Sequence, residues 1–122
     1  MLRETLRIAC AQCALPASPA AALQNSIAAI DDAAARGARI VAFPEAYVPG
    51  YPWPGRPAPE VDAAFLEAAY QEVREAAKRA SIAVVLGTER FVEGRRHLTA
   101  LVVDAAGEVL GWQDKVQLDP YE

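Results

Sequence analysis

Two charged residues stand where strands end, a common position for catalytic groups. Glu45 directly follows the apolar run 40–43, which is typical of a short β-strand. Ligands of open α/β sheets bind beyond the carboxyl ends of the strands, so a partly desolvated carboxylate there suits a general base. Lys115 closes a second strand-like run far downstream. We expect the two to lie at neighbouring strand ends, close enough to pair directly or through water.

A nucleophile is harder to find. The two cysteines, Cys10 and Cys13, both precede Glu45, and no cysteine lies between Glu45 and Lys115 or after them. Their C-x-x-C spacing could indicate a redox or zinc site. In a strand, however, residues three apart point to opposite faces, so the thiols do not converge. A zinc site would have His97 as its one available imidazole. We therefore predict one buried and one strand-end cysteine, with no metal and no cofactor.

A proline-rich segment follows Glu45. Six prolines lie between positions 44 and 59, and proline lacks the backbone donor that helices and central strands need. Long connections without secondary structure are uncommon in compact domains and are usually functional. Tyr47, Tyr51 and Trp53 are interleaved with the prolines, and aromatic residues are poor choices for a solvated spacer. We interpret the segment as one wall of a substrate pocket; a rigid linker is the alternative.

The other patterns predict an α/β chain with about five strands and two helices. Ser18 and Pro19 favour a helix start, with Gly37 at its end. A second helix is predicted from Pro59 or Glu60 to Arg79 or Ala80. The predicted strands cover residues 6–12, 40–43, 82–87 with an extension to 91, 98–104 and 109–115. The run 40–43 suggests a strand covered on both faces, residues 93–96 suggest a turn, and the last two strands suggest a hairpin through 105–107.

Size and charge exclude several classes of protein. A chain of 122 residues is long enough for one domain and too short for two. The net charge of -4, without a basic cluster, argues against nucleic-acid binding. No apolar stretch is long enough for a membrane span. Glu4, Arg7 and Gln12 interrupt the N-terminal segment that could otherwise pass for a signal peptide, so we expect a cytoplasmic protein.

Residues 43–52, Phe-Pro-Glu-Ala-Tyr-Val-Pro-Gly-Tyr-Pro, resemble the first signature of the nitrilase superfamily of carbon–nitrogen hydrolases. Residues 8–12 are similar to that family's first strand, and residues 99–111 resemble the hairpin before its catalytic lysine. Residues 114–120 resemble the lysine motif itself. The similarity follows the family's order along nearly the whole chain. One departure is Leu98, where the family usually has an asparagine.

The resemblance implies chemistry by a Glu–Lys–Cys triad. Glu45 would be the general base, Lys115 the cation that stabilises the tetrahedral intermediate, and Glu122 the second glutamate that positions the substrate. The family's cysteine lies on a segment downstream of Glu122, so the nucleophile is missing from these residues. The implied fold is the N-terminal part of an α-β-β-α sandwich, with residues 1–122 forming a partial carbon–nitrogen hydrolase domain.

The implied reaction is hydrolysis of a non-peptide C–N bond in a small nitrile or amide, by a protein that is a homo-oligomer when complete. The stretch 51–53 looks more like the nitrile-acting branch than the amidase branch. Covalent catalysis needs a nucleophile beside the base, so we expect this chain alone to be inactive. The alternative is a non-catalytic binding module that pairs with a partner chain, because half of a sandwich leaves one sheet face uncovered.

Overall fold

The structure, a computed structural model, describes residues 4–122. Two helices and five strands make up this part of the chain, which confirms the predicted α/β class. In chain order they are β1 (Ile8–Cys10), α1 (Pro19–Ala35), β2 (Ile40–Ala42), α2 (Ala63–Ala80), β3 (Ala83–Val92), β4 (Arg95–Val103) and β5 (Val109–Asp114). Neither helix is long and apolar enough to cross a membrane.

The five strands form one mixed sheet in the order β1-β2-β3-β4-β5. Strands β1, β2 and β3 are parallel, whereas β4 is antiparallel to both β3 and β5. Two β-α-β crossovers move along the sheet in the same direction, and right-handed crossovers of that kind place both helices on one face. The strand order also gives β5 the same direction as β2 and β3, so these three strands end at the same edge.

Side-chain caps fix where the helices begin. The Ser18 hydroxyl accepts a hydrogen bond from the Ala21 amide at 3.1 Å, as the sequence predicts for α1. For α2 the cap is Asp62, whose carboxylate accepts from the Phe65 amide at 2.8 Å. The predicted start of α2 at residue 59 or 60 is therefore wrong by a few residues, because the helix begins at Ala63, directly after its Asp62 cap.

The β3–β4 connection is tighter than the sequence suggested. Glu93 and Gly94 form a two-residue turn with φ values of 51° and 75°, a combination that matches the twist of a hairpin. Arg95 and Arg96, which we assigned to a turn, instead belong to β4 and pair with Val92 and Phe91 of β3. The hairpin that joins β4 to β5 is confirmed.

Within residues 4–122, helices cover only one face of the sheet. Along β3, Val84 and Leu86 are buried against the helices whereas Val85 between them is half-buried, and β4 repeats this alternation. The run 40–43 is likewise covered mainly on one face, because Val41 is buried but its neighbours in β2 are half-buried. We call the side without helices the open face; it includes Ile8, Cys10, Ile40, Ala42, Ala83, Val85, Gly87, Glu89, Arg96, Leu98, Ala100, Val102 and Gly111.

Candidate active site

Glu45 is carried by a turn that rests on the open face of β3. After β2 the chain turns through Pro44–Tyr47 and returns to the sheet at Val48, whose amide donates to the Gly87 carbonyl at 3.3 Å. The Thr88 hydroxyl donates to the Val48 carbonyl at 2.7 Å and fixes this return. A Cβ atom on Gly87 would lie 1.8 Å from the Pro44 carbonyl oxygen. The turn can therefore approach the sheet this closely only because residue 87 is glycine.

Lys115 reaches Glu45 from the end of β5. Its amide donates to the Leu98 carbonyl at 2.8 Å, which continues the β4–β5 pairing by one residue. Its ammonium lies 2.8 Å from Glu45 Oε1, so the predicted contact between the two residues is confirmed. The prediction of neighbouring strand ends is wrong, because β3 and β4 lie between β2 and β5. The contact forms because the 44–48 turn carries Glu45 sideways across β3.

Glu122 completes the cluster from the other side of Lys115. Both of its carboxylate oxygens lie 2.8 Å from the Lys115 ammonium. The Asp119 amide donates to the same carboxylate at 2.8 Å, and the Tyr51 hydroxyl donates to it at 2.5 Å. The side chain of Glu122 has no exposed surface, whereas Lys115 is 28% exposed and Glu45 is 43% exposed. The cluster is thus closed at Glu122 and open to solvent at Glu45.

The contacts shift the proton affinities of the cluster. The Lys115 ammonium, then Tyr51 and the Asp119 amide, lower the pKa of Glu122 to about 2. Hydrogen bonds to Glu122 first and Glu45 second raise the pKa of Lys115 above its ordinary value. The hydrogen bond to Glu122 is also the main cause of the raised pKa of Tyr51. At neutral pH the ammonium therefore stays charged between carboxylates, and Tyr51 stays a donor.

The three aromatic residues predicted for the pocket lie in different surroundings. Tyr51 is in the cluster through Glu122. Tyr47 is buried in the core, where its hydroxyl donates to the Ala14 carbonyl at 2.9 Å and accepts from the Asn25 amide at 3.1 Å. The Arg56 guanidinium lies over the Trp53 ring, with Arg56 Cζ 4.6 Å from the ring centroid. Tyr51 is thus the aromatic residue that the structure brings to Glu122.

Both cysteines are free thiols; Cys10 is exposed on β1 and Cys13 is half-buried beyond its end. Within residues 4–122, no hydrogen bond joins either thiol to Glu45 or Lys115. The same residues contain no group of three or more side chains arranged to hold a metal ion. In this structure the cluster supplies a base and a cation, without a thiol beside them.

Sequence reasoning missed a second pair of charges next to the cluster. Glu89 in β3 is fully buried on the open face, and Arg96 of β4 lies 2.8 Å from its carboxylate. Arg96 also donates to the main-chain oxygen of Glu122 at 2.9 Å. The available signal was the Glu89 carboxylate within a long apolar strand, a position where a charge is rarely left without a partner.

A third group of charges lies on the opposite, helix-covered face. Arg90 donates twice to the Asp114 carboxylate, at 2.9 and 2.8 Å, and His97 lies 3.1 Å from the same group. Arg90 first, with a smaller contribution from His97, lowers the pKa of Asp114 to about 2. Asp114 immediately precedes Lys115, so these contacts hold the end of β5 from the helix-covered face.

The geometry has a clear chemical capacity. A half-exposed carboxylate, Glu45, can accept a proton from a group that approaches the open side of the cluster. An ammonium beside it can stabilise negative charge that develops on a substrate oxygen or nitrogen. The second carboxylate, Glu122, holds that ammonium in place and leaves Glu45 as its solvent-facing partner.

The sequence profile of the carbon-nitrogen hydrolase family matches residues 7–122, and the chain belongs to this family of nitrilases and amidases. A cyanide hydratase from Armillaria gallica is 30% identical over 112 residues, which cover 82% of this chain and 32% of the relative. A nitrilase from Pseudomonas syringae pv. syringae is 28% identical, over 95% of this chain and 38% of the relative.

Solved structures show the same fold. The amidase from Nesterenkonia sp. AN1, as a cysteine-to-alanine variant in complex with butyramide, superposes with a TM-score of 0.79 at 31% identity, over 93% of this chain and 44% of that one. A double variant in complex with acrylamide gives 0.78 at 28% identity, over 98% and 47%. The chain thus spans about a third of the curated relatives and under half of the solved structures it matches.

Proposed function

We propose that this chain supplies the base-and-cation half of a carbon–nitrogen hydrolase that cleaves a non-peptide C–N bond in a small nitrile or amide. Glu45 acts as the general base, Lys115 stabilises the tetrahedral intermediate, and Glu122 positions Lys115 and the substrate. The observation that carries the proposal is the Lys115 ammonium held 2.8 Å from both Glu45 and Glu122. The nucleophilic cysteine comes from outside residues 1–122.

The relatives support this division of roles. One structure of the Nesterenkonia amidase shows acrylamide added at that enzyme's active-site cysteine, and others hold acrylamide or butyramide. The adduct formed by Michael addition in a glutamate-to-glutamine variant, so it shows a reactive thiol in that enzyme. Covalent catalysis by such a thiol needs a base within its reach and a donor for the developing charge. Glu45 and Lys115 meet both requirements on the open face, where a further segment could bring a thiol.

Within this family we favour a nitrile as the substrate. The stretch Tyr51–Trp53 resembles the nitrile-acting branch, and a cyanide hydratase and a nitrilase are among the curated relatives. An amide is the competing substrate, supported by the amidase structures. We further propose that the complete protein is a homo-oligomer located in the cytoplasm, and that it uses no nucleic acid, membrane or cofactor.

A hybrid enzyme tests the proposal. Residues 1–122 would replace the corresponding N-terminal part of the Nesterenkonia amidase, and ammonia release from butyramide and from small nitriles would be assayed. We expect activity in the hybrid and a loss of about 100-fold or more in Glu45→Gln and Lys115→Met, because each removes a group that acts on the transition state. Arg79→Met removes an exposed pair with Asp31 and serves as the matched control.

The alternative function is a non-catalytic module that pairs with a partner chain, and the open face favours it. Exposed Ile8 and the half-buried Ile40, Val85 and Val102 form an apolar surface without helices, and such surfaces are typical of interaction sites. A folded hybrid that releases no ammonia from nitriles or amides, with or without the Lys115→Met change, would favour this module over the hydrolase.

A further inference from the structure

Glu89 is a buried acid that the proposed chemistry does not use. It is 0% exposed in the middle of β3, and burial raises its pKa while Arg96 opposes that rise. Only one of its carboxylate oxygens has a partner, Arg96 Nη1 at 2.8 Å. The other oxygen, Oε2, is out of reach of solvent and has no hydrogen-bond partner among the described residues. Within residues 4–122, the Arg96 guanidinium is thus the one polar partner of this carboxylate.

Stability is a poor explanation for such a group. Moving a carboxylate out of water is costly, and a well-packed apolar residue in its place is often as good or better for stability. An oxygen left without a partner adds to that cost. The ion pair instead fixes the orientation of the Arg96 side chain, because a guanidinium presents its donors in a rigid, planar fork.

The Arg96 fork connects Glu89 to the candidate active site. Nη1 points to Glu89, and Nη2 donates to the main-chain oxygen of Glu122 at 2.9 Å. The strand register makes this possible: Glu89 pairs with Leu98, and Arg96 lies two residues away on the same face of β4. Glu122 is therefore held at its main chain by Arg96 and at its carboxylate by Tyr51, Lys115 and the Asp119 amide.

We propose that Glu89 and Arg96 are positioning residues: the buried carboxylate orients the guanidinium, which fixes Glu122 and through it the ammonium of Lys115. The inference rests on the proposed function, since it assigns the pair to the same site. Among residues 4–122, no hydrogen bond or ion pair joins either residue to Glu45 or Lys115. Their effect reaches the chemistry only through the position of Glu122.

The test is an NMR titration of the Glu122 side chain in the full 122-residue chain without any substrate. Glutamate is labelled with ¹³C at its side-chain carboxyl carbon, Cδ, so that the side chain is distinguished from the α-carboxyl group. In the parent chain Glu122 should stay largely ionised to pH 3, in line with its pKa of about 2. In Glu89→Gln and in Arg96→Met we expect the midpoint to rise by about one pH unit or more, because a displaced carboxylate loses part of its contact with Lys115. Amide spectra at pH 6 report whether each variant is folded.

Controls separate positioning from general destabilisation. Arg79→Met, which removes the exposed pair with Asp31, should leave the Glu122 midpoint unchanged. Because Glu89 acts through Arg96, the double variant should shift the midpoint no further than Arg96→Met alone. If Arg96→Met does not fold, Arg96→Lys keeps the charge but has one ammonium in place of two donors in a fixed fork, and the same rise is expected.

Two outcomes overturn the inference. One is a Glu122 midpoint that stays near its parent value in folded Glu89→Gln and in the folded Arg96 variant. The other is a double variant whose shift is the sum of the two single shifts, which shows that Glu89 does not act through Arg96. The titration uses no substrate and is therefore independent of the hybrid-enzyme assay. If the hybrid is inactive but the Glu122 midpoint rises in the variants as expected, the proposed function is refuted and the Glu89–Arg96 assignment is kept.

Discussion

Gly87→Ala should separate Glu45 from Lys115 without changing either residue. The Cβ atom added by this substitution would meet the Pro44 carbonyl oxygen at 1.8 Å, the Pro44 carbonyl carbon at 2.7 Å and the Glu45 Cα at 2.9 Å. All three are backbone atoms, so no side chain can rotate to relieve the contact. The 44–48 turn must lift away from β3, and Glu45 moves with it.

The size of the movement follows from these distances. Ordinary van der Waals contacts with a Cβ begin at 3.4 Å, so the Pro44 oxygen must move by about 1.6 Å from its 1.8 Å position. If that movement opens the ion pair fully, the distance from Lys115 Nζ to Glu45 Oε1 grows from 2.8 Å to about 4.4 Å. Overpacking of this kind costs about 1–3 kcal/mol, which corresponds to a fall in Tm of roughly 3–15 °C for a domain of this size.

Thermal denaturation followed by circular dichroism, together with NMR of the Lys115 ammonium, would measure both effects. Gly111→Ala is the matched control: Gly111 lies in β5 on the same face, and a Cβ there meets no atom within 4 Å. We expect the control to keep the Tm and the Lys115 signal of the parent chain. If Gly87→Ala has the same Tm as Gly111→Ala and keeps the Lys115 ammonium signal of the parent chain, Gly87 is not the residue that supports the Glu45 turn.

Three further predictions follow from the site and the open face. The isolated chain should release no ammonia from small nitriles or amides, because neither thiol lies beside the base; turnover that disappears in Cys10→Ala or Cys13→Ala would contradict this. The free energy of unfolding, measured with urea, should fall between about pH 4 and pH 2. Glu122 and Asp114 are the cause, because folding lowers the pKa of each to about 2. Their contribution to stability is therefore present above the ordinary carboxyl pKa and is lost as protons bind at lower pH. A free energy of unfolding that stays the same from pH 4 to pH 2 would exclude this linkage. The chain should self-associate or bind a hydrophobic dye through the open face; a monodisperse monomer in light scattering, with a cooperative melt and no dye binding, would show that the open face needs no cover.

Local signals in the sequence were sufficient for the elements. The Ser18–Pro19 pair marks the start of α1 because a hydroxyl cap and a preset φ act within one turn. The contact between Glu45 and Lys115 was predicted because each residue ends an apolar run, but the turn across β3 that makes the contact was not predicted. The class and number of elements depend on such short-range patterns, and these predictions are confirmed by the structure.

The rest depends on how separate segments meet, which local patterns do not encode. In the sequence, Gly87 is one small residue within a predicted strand. Its role, which is to leave room for the 44–48 turn, depends on a contact between segments that are far apart in sequence. Arg96 next to Gly94 suggested a turn, whereas the two-residue turn leaves it in β4 facing Glu89. Tyr47 shares the proline-rich segment with Tyr51, yet the turn at 44–48 directs it into the core. The assignment of catalytic roles to Glu45, Lys115 and Glu122 stays a prediction.

The order of the strands has a consequence for how the chain folds during synthesis. Since neighbours in the sheet are neighbours in sequence, each strand can join the edge left by the previous one as it leaves the ribosome. Glu45 can be in place once β3 supports its turn, while Lys115 and Glu122 emerge only after all five strands. The cluster should therefore assemble last, so that formation of the Lys115 ion pairs would report the end of folding of this chain.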